Sequence, residues 1–408
     1  MIDWSESDLL VREAIREFVD KEIRPHVDVL ESGELPPYDI IRKLFASFGI
    51  DVLAKEAVGG LLKKRRAAGP AKEKRGFDFG GQETMAVVAI SELAGVSLGV
   101  VASIGVSLGL TAQTILAKGT LAQQERWLPG LATFEKVGAW AITEPDSGSD
   151  AFGGMKTHVR RDGDGYVLNG QKTFITNGPY ADTTVVYAKL DEGDGADKRD
   201  RKVLTFVLDK GMEGFTQGKP FKKMGMMSSP TGELFFDNVR LGRDRLLGET
   251  EPGAGGDSRA EVKTGFTAER VGVAVLAMGI IDECHRRCLA YAKSRTLWGK
   301  EIGRFQLIQL KLAKMEVARV NVRNMVFSTI EKMRAGTVPT LAEASAMKLY
   351  SSEAATEVAM EAVQLFGGNG YMAEYRVEQL ARDAKSLMIY AGSNEIQVTH
   401  IAKGLLAD

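Results

Sequence analysis

The sequence predicts a mainly α-helical protein with a β-domain in its middle. Three observations point there. The apolar period is helical from the start to about residue 135. It changes to two between about 137 and 248. It becomes helical again after the run Pro252-Gly253-Ala254-Gly255-Gly256. The expected division is an N-terminal α-helical domain over residues 1–136, a middle β-domain over 137–250 and a C-terminal four-helix bundle over 251–408.

In the first part, Ser5-x-x-Asp8 resembles a capping box. It opens a helix whose stripe of Leu9, Ile15, Phe18, Val19 and Ile23 ends near Pro25. Residues 58–81 differ in composition. Lys63-Lys64-Arg65-Arg66, Lys72, Lys74 and Arg75 sit among Gly and Ala, which reads as a solvated surface loop. From Leu93 to Ala117 no residue is charged, a length that would span a bilayer. That stretch also carries Ser97, Ser103, Ser107, Thr111, Gln113 and Thr114 and lacks a positively charged flank of weight. We read it as buried helices rather than a membrane span. Its small residues, Gly95, Gly99, Ala102, Gly105 and Gly109, either leave space for a ligand or allow helices to pack closely.

In the middle part, Tyr166-Val167-Leu168-Asn169 follows the turn Asp162-Gly163-Asp164-Gly165. Thr183–Leu190, Val203–Leu208 and Leu234–Val239 also read as strands, giving a small β-barrel or sandwich. Residues 191–202 are polar and form an exposed hairpin loop. In the last part, Phe266–Ser294 is apolar nearly all round and reads as a central bundle helix. Phe305–Ala335 is a second helix. A third opens at the capping box Thr340-x-x-Glu343 and stops at Gly367-Gly368, and a fourth runs from about Glu374 to Tyr390.

Composition narrows the function. The 408 residues are 44% apolar and 26% charged, which excludes a disordered, collagen-like or disulfide-stapled chain. The 53 basic and 54 acidic side chains give a net charge of −1, against a dedicated nucleic-acid binder. Cys284 and Cys288 lie one helical turn apart, fit no zinc pattern and read as small buried thiols. His26, His158, His285 and His400 are scattered, so no metal centre is expected. The acidic start shows no signal peptide. A cytoplasmic location is expected for a bacterial chain, the mitochondrial matrix for a eukaryotic one.

Three polar clusters carry the chemistry. Trp140-Ala141-Ile142-Thr143-Glu144-Pro145-Asp146-Ser147-Gly148-Ser149-Asp150 offers hydroxyls and backbone amides on a small-residue turn. Phe174-Ile175-Thr176-Asn177-Gly178 ends a strand. Gln364-Leu365-Phe366-Gly367-Gly368-Asn369-Gly370-Tyr371 is followed by Ala381-Arg382-Asp383. No Walker A loop, Rossmann fingerprint or nucleophile elbow occurs.

In this order the three clusters resemble the acyl-CoA dehydrogenase family. The first matches its Thr-Glu-Pro-x-x-Gly-Ser-Asp signature, and the third, continued from Glu374 to Lys385, matches its second. Lys223-Met224-Gly225, Asn238-Val239-Arg240, Leu246-Leu247-Gly248-Glu249, Arg295, Trp298-Gly299-Lys300 and Phe305-Gln306 fit as well. The resemblance spans nearly the whole chain except the basic segment, which looks like an insertion. It implies the same helical, β and four-helix-bundle order and a usual homotetramer. It implies FAD, an acyl-CoA substrate and an electron-transfer flavoprotein as acceptor. By position, Trp140, Ile142, Thr143 and Ser149 are expected at the flavin or the acyl-CoA, with Phe174 and Thr176 along the isoalloxazine. Arg295, Trp298, Gln306, Gln364 and Gly368 are expected at a neighbouring subunit's FAD, and Ser393 at the cofactor.

The implied reaction is α,β-dehydrogenation of an acyl thioester to a trans-2-enoyl-CoA. A carboxylate takes the α-proton, the β-hydrogen leaves as hydride to flavin N5, and donors stabilise the thioester oxygen. Most members carry that carboxylate in a Tyr-Glu-Gly-Thr segment. Here it reads Tyr390-Ala391-Gly392-Ser393, and only the Ala391 backbone N–H remains for the thioester oxygen. The isovaleryl- and long-chain-type members place the base at the start of the bundle helix, before an arginine. Thr267-Ala268-Glu269-Arg270 stands there, so Glu269 is the expected base, with Arg270 and Tyr390 beside the substrate. The plainer alternative is a first-turn glutamate that complements the helix dipole, worth ~0.3–1 kcal/mol. The other functional readings are a catalytically silent flavin- or acyl-CoA-binding subunit of a mixed assembly, and an oxidase on the same fold.

Overall fold

The structure, a computed structural model, describes residues 4–68, 83–195, 197, 199–251 and 258–406, with only the backbone described over 258–264. The N-terminal helices are α1 (Glu6–Phe18), α2 (Val27–Ser32), α3 (Tyr38–Ser47), α4 (Ile50–Ala68), α5 (Glu83–Ala94), α6 (Leu98–Ile104), α7 (Gln113–Lys118) and α8 (Leu121–Ala132). The capping box at α1 forms: Ser5 Oγ accepts from Asp8 N at 3.1 Å, and Asp8 Oδ2 accepts from Ser5 N at 3.0 Å. Pro25 sits in the short 3₁₀ turn that separates α1 and its π-helical extension from α2.

The basic run Lys63–Arg66 is a correction to the surface-loop reading. It forms the last turns of α4, whose Val58 and Leu62 are buried. Arg65 Nη1 donates to Leu116 O at 3.2 Å and Gln124 Oε1 at 2.6 Å, so the helix face continues through the arginine stem. Lys72, Lys74 and Arg75 lie outside the described residues.

By length and composition Leu98–Lys118 would reach across a bilayer. Here α6 passes through a π-helical stretch, Gly105–Ala112, into α7 and packs on the β-domain. Ser107 Oγ accepts from Gly138 N at 2.8 Å, and Asn177 Nδ2 donates to Ser103 O at 3.0 Å. Its small residues now separate into two groups. A Cβ on Gly95 would stand 2.9 Å from Gly279 O, and one on Gly99 would stand 2.6 Å from Ser229 N, so these two serve close packing. Gly105 and Gly109 are exposed and face open space.

The β-domain is one curled sheet of β1 (Gly138–Ala141), β2 (His158–Asp162), β3 (Gly165–Thr176), β4 (Thr183–Leu190), β5 (Val203–Asp209), β6 (Phe215–Gln217) and β7 (Thr231–Leu241). β4 is buried along its whole length. It pairs antiparallel with β5 on one edge, and β1 and β2 divide the other edge between them, both parallel to it. From β2 the sheet continues through β3 and β7 to β6. The Asp162–Gly165 turn closes the β2–β3 hairpin, and residues 191–202 connect β4 to β5. Sequence periodicity gave no sign of β1, β2 or β6, which are too short or too polar to show a period of two.

The last part holds α9 (Ser258–Ser294), the small hairpin β8 (Thr296–Leu297) and β9 (Lys300–Glu301), α10 (Gln306–Arg334), α11 (Leu341–Phe366), α12 (Val377–Ser386) and α13 (Asn394–Leu405). Val273, Ala274, Ala277, Met278, Ile281, Cys284 and Cys288 of α9 sit in one core with α1, α5, α10, α11 and α12. Both thiols are free and buried, and burial pushes the Cys288 thiol up to about 12. Two expectations are corrected. α9 begins eight residues before Phe266, so Glu269 lies about three turns into the helix. The fourth helix runs only from Val377 to Ser386, because Arg376 adopts φ +63° before it and the chain turns away after Leu387. α13 follows that turn and was not expected.

Candidate active site

The first cluster is shaped by a buried ion pair. After β1 the chain turns, and Glu144 points inward. Its carboxylate accepts from Lys156 N at 2.5 Å, Thr157 N at 3.0 Å and Lys172 Nζ at 2.9 Å. Lys172, fully buried on β3, also donates to Ile142 O at 3.0 Å. Burial pushes the Lys172 ammonium down to about 8 while Glu144 pulls it back up. Burial alone would raise the Glu144 carboxyl, but Lys172 and the Thr157 and Lys156 bonds outweigh it and hold it low. Thr173 N donates to Thr143 O at 2.9 Å. The second cluster is thereby locked beside the first: Trp140, Ile142 and Thr143 lie against the strand that carries Phe174 and Thr176.

Several groups here are left exposed or without a partner among the described residues. Phe174 adopts φ +58°, and its ring is 66% exposed, tilted against Phe221 with centroids 5.9 Å apart. Such a conformation in a bulky residue holds only where its surroundings fix it. Trp140 Nε1 is buried without an acceptor among the described residues. Ser149 is exposed, in a turn that Ser147 Oγ ties to Asp150 O at 2.6 Å.

The second group gathers on α9, α11 and the turn before α13. Glu269 is half-buried, and its carboxylate accepts no hydrogen bond among the described residues. Burial pushes it up to about 7, against the pull of Arg270 and then Lys348. A first-turn dipole effect cannot explain it, since that effect fades within one turn and Glu269 lies deeper. Arg270 is buried; its Nη1 donates to Ser345 Oγ at 3.0 Å and its guanidinium lies 5.8 Å from the Phe266 ring centre. Phe266 in turn packs against the cluster containing Ile142 and Trp140, which links the two groups.

The turn Tyr390–Ser393 is pinned by its carbonyls. Gln397 Nε2 donates to Ala391 O at 3.1 Å and Gly392 O at 2.6 Å. Lys348 Nζ donates to Gly392 O at 2.9 Å and Asn394 Oδ1 at 2.8 Å. Ala391 adopts φ +56°, and its N–H has no acceptor among the described residues. Gly392 sits at φ +82°, where a side chain would be strained, and a Cβ there would press on Gln397 Nε2 at 2.8 Å. Tyr390 places a buried hydroxyl, with no partner at hydrogen-bond distance among the described residues, within reach of the Glu269 charge. Burial raises that phenol well above its ordinary range, with Glu269 adding to the effect. Ser393 is half-buried just before α13. Lys348, Asn394 and Gln397 were not singled out by sequence reasoning. Only Lys348, the one charged side chain among the buried residues of α11, carried any signal.

The remaining expected residues stand apart on the outside of the bundle. Arg295 and Gln306 are exposed, and Trp298 is 86% exposed at φ +49°, against Phe305. Gln364 and Gly368 are exposed at the end of α11. Asn369 Nδ2 donates to Tyr291 OH at 3.0 Å and Tyr291 stacks on Phe366, bringing that end beside the Arg295 turn.

The residues present fit a flat, acceptor-rich ring system. An orphaned indole N–H, an exposed aromatic held in a strained conformation and an unengaged backbone N–H are the groups such a cofactor would meet.

Comparison with known proteins identifies relatives over nearly the whole chain. Residues 5–135, 139–239 and 260–406 match the family models for the acyl-CoA dehydrogenase N-terminal, middle and C-terminal domains. The chain is 33% identical over 403 residues to a 3-(aryl)acrylate reductase of Clostridium sporogenes, covering 99% of each. Among solved structures, an acyl-CoA dehydrogenase from Geobacillus kaustophilus superposes with a TM-score of 0.85 at 32% identity, covering 99% of both chains. A glutaryl-CoA dehydrogenase from Mycobacterium smegmatis in complex with FADH2 gives 0.81 at 27% identity, covering 99% of this chain and 96% of the other. The chain belongs to the acyl-CoA dehydrogenase family.

Proposed function

We propose that the protein is an FAD-dependent acyl-CoA dehydrogenase that oxidises the α,β bond of an acyl-CoA, with Glu269 as the α-proton base. The observation that carries this is the Glu269 carboxyl. It is unbonded among the described residues, pushed up to about 7, and set among Arg270, Lys348 and Tyr390, whereas Ala391 has no carboxylate. A base poised near neutral pH is suited to accept a proton and give it up again. Bound FAD supplies the two-electron acceptor for the β-hydrogen.

The other residues prepare that step. The Ala391 N–H donates to the thioester oxygen, which makes the α-proton more acidic as charge develops there. Lys348 and Gln397 hold that donor in place through the carbonyls of the same turn. Arg270, buried and tied to Ser345, keeps positive charge beside the base and limits how far burial raises it. Trp140, Ile142, Thr143, Ser149, Phe174, Thr176 and Ser393 form the wall for the cofactor and the thioester end of the substrate. The three units 1–136, 137–250 and 251–408 enclose it.

Arg295, Trp298, Gln306, Gln364 and Gly368 are exposed in a single chain and serve the cofactor of a second copy in a homotetramer. Exposed Leu307 (75%), Leu310 (53%) and Val317 (60%) on α10 support such an assembly. An electron-transfer flavoprotein reoxidises the enzyme.

The test is an anaerobic titration of the FAD-loaded protein with short, branched, medium and long acyl-CoAs. Rapid bleaching of the flavin band by one class is expected, and it names the chain. Bound flavin that no acyl-CoA bleaches would overturn the dehydrogenase reading in favour of a silent binding subunit.

A further inference from the structure

A cavity of about 640 Å³ lies between the N-terminal helices and the bundle, lined from α1, α5, α9 and α10. Its Asp282 is 13 residues beyond Glu269 on α9, about 20 Å away at the helical rise, so the cavity is separate from the site above. Six arginines line it, against four carboxyls.

Most of these charges are taken up by one another. Arg16 forks onto Glu92 at 2.7 and 2.8 Å, and Arg286 onto Glu283 at 2.7 and 2.9 Å. Arg24 binds Asp20 at 2.6 Å. Arg319 forks onto Glu316, outside the lining, and reaches Asp282 only at 3.6 Å.

Two groups keep hydrogen-bonding capacity to spare. Arg12 makes no ion pair among the described residues, and its buried Nε has no acceptor. Asp282 Oδ1 is buried and meets only the long 3.6 Å contact from Arg319, with no closer donor among the described residues, and burial pushes its carboxyl up to about 6 against the pull of Arg319 and Arg323. A buried guanidinium N–H without an acceptor is costly, so such groups are normally satisfied.

We propose that this cavity binds a small hydroxylated organic dianion, a phosphate monoester or a dicarboxylate. The positive excess of the lining favours a dianion over a neutral molecule. Arg12 offers the fork that matches an oxyanion bidentately. Asp282 Oδ1 accepts from a hydroxyl on the same ligand. The volume is that of a metabolite-sized pocket. The proposal does not rest on the assigned reaction, and either can fail without the other.

Isothermal titration of FAD-loaded protein at constant ionic strength tests it, with glycerol 3-phosphate and malate as the two dianion probes and lactate as the monoanion. The expected result is saturable binding, one per chain, of at least one dianion, at least tenfold tighter than lactate. The stronger of the two names the anionic group. Arg12→Ala weakens it at least tenfold, and Asp282→Asn weakens it several-fold. Arg12→Lys, which keeps the charge and loses the fork, falls between. Circular dichroism and flavin content report whether each variant is folded. The proposal is overturned if neither dianion saturates, or if folded Arg12→Ala and Arg12→Lys bind as wild type does.

Discussion

Lys348 reaches from α11 to the carbonyl of Gly392, 2.9 Å from its Nζ, and so ties the bundle core to the turn that carries Ala391. The ammonium is buried, pushed down to about 8 first by burial and then by Arg270, with Glu269 pulling it back up. One side chain thus fixes the proposed thioester donor and lowers the proposed base.

Replacing it separates those two effects. Lys348→Met removes the bonds to Gly392 O and Asn394 Oδ1, at a cost of about 1.5–3 kcal/mol for a charged donor. It also removes a charge that lowers Glu269, so the pH at which flavin reduction reaches half its maximum moves upward. Thermal unfolding and a stopped-flow pH profile read the two.

Glu269 opposes folding at the pH where it works. Its carboxyl titrates at about 4.5 when unfolded and about 7 when folded. Between those values the folded state holds a proton that the unfolded state has released, so stability falls as pH rises from about 4.5 to about 7 and stays lower above. Glu269→Gln has no such penalty. The variant is therefore expected to be more stable than wild type at pH 8 by roughly 1–3 kcal/mol, allowing for solvent screening, and nearly equal at pH 4.5. Denaturant unfolding at the two pH values checks this.

The small residues of the uncharged segment divide in the same way. Gly99→Ala forces a methyl onto Ser228 and Ser229 and is expected to cost about 1–3 kcal/mol. Gly109→Ala meets open space and is expected to be neutral or slightly stabilising. Melting temperatures of the two variants distinguish a packing contact from free room.

The Lys172–Glu144 pair shapes the first cluster from inside. Lys172→Met leaves Glu144 buried and without its cation, a change worth about 3–5 kcal/mol. The Ile142–Thr143 turn loses its support, so weaker FAD retention on gel filtration is expected alongside the lower melting temperature.

Much of this was legible in the sequence. The change of period located the β-domain, and Ser5 and Thr340 announced their helices because a capping box is a local signal. Cys284 and Cys288, spaced one turn apart in an apolar helix, were readable as buried thiols. Short β1 and β2 were not readable, because β1 is held by pairing with β4 and β2 mainly by pairing with β3 rather than by their own patterns. The start of α9 was misplaced because the glycine-rich run before it has no periodicity to mark an end. At the candidate site, the motif residues were visible one by one. Lys348 and Gln397 were not, since their role is to bond to carbonyls 44 and five or six residues away, a relation no local spacing encodes.

The central claim is that Glu269 takes the α-proton. The most direct measurement is anaerobic stopped-flow reduction of FAD-loaded Glu269→Gln beside wild type, using the acyl-CoA class that bleaches wild type fastest. The account predicts that the variant binds FAD and the acyl-CoA yet reduces the flavin at least ~10²-fold more slowly, the usual loss for a general base. Reduction at the wild-type rate would contradict it and move the base elsewhere in the site.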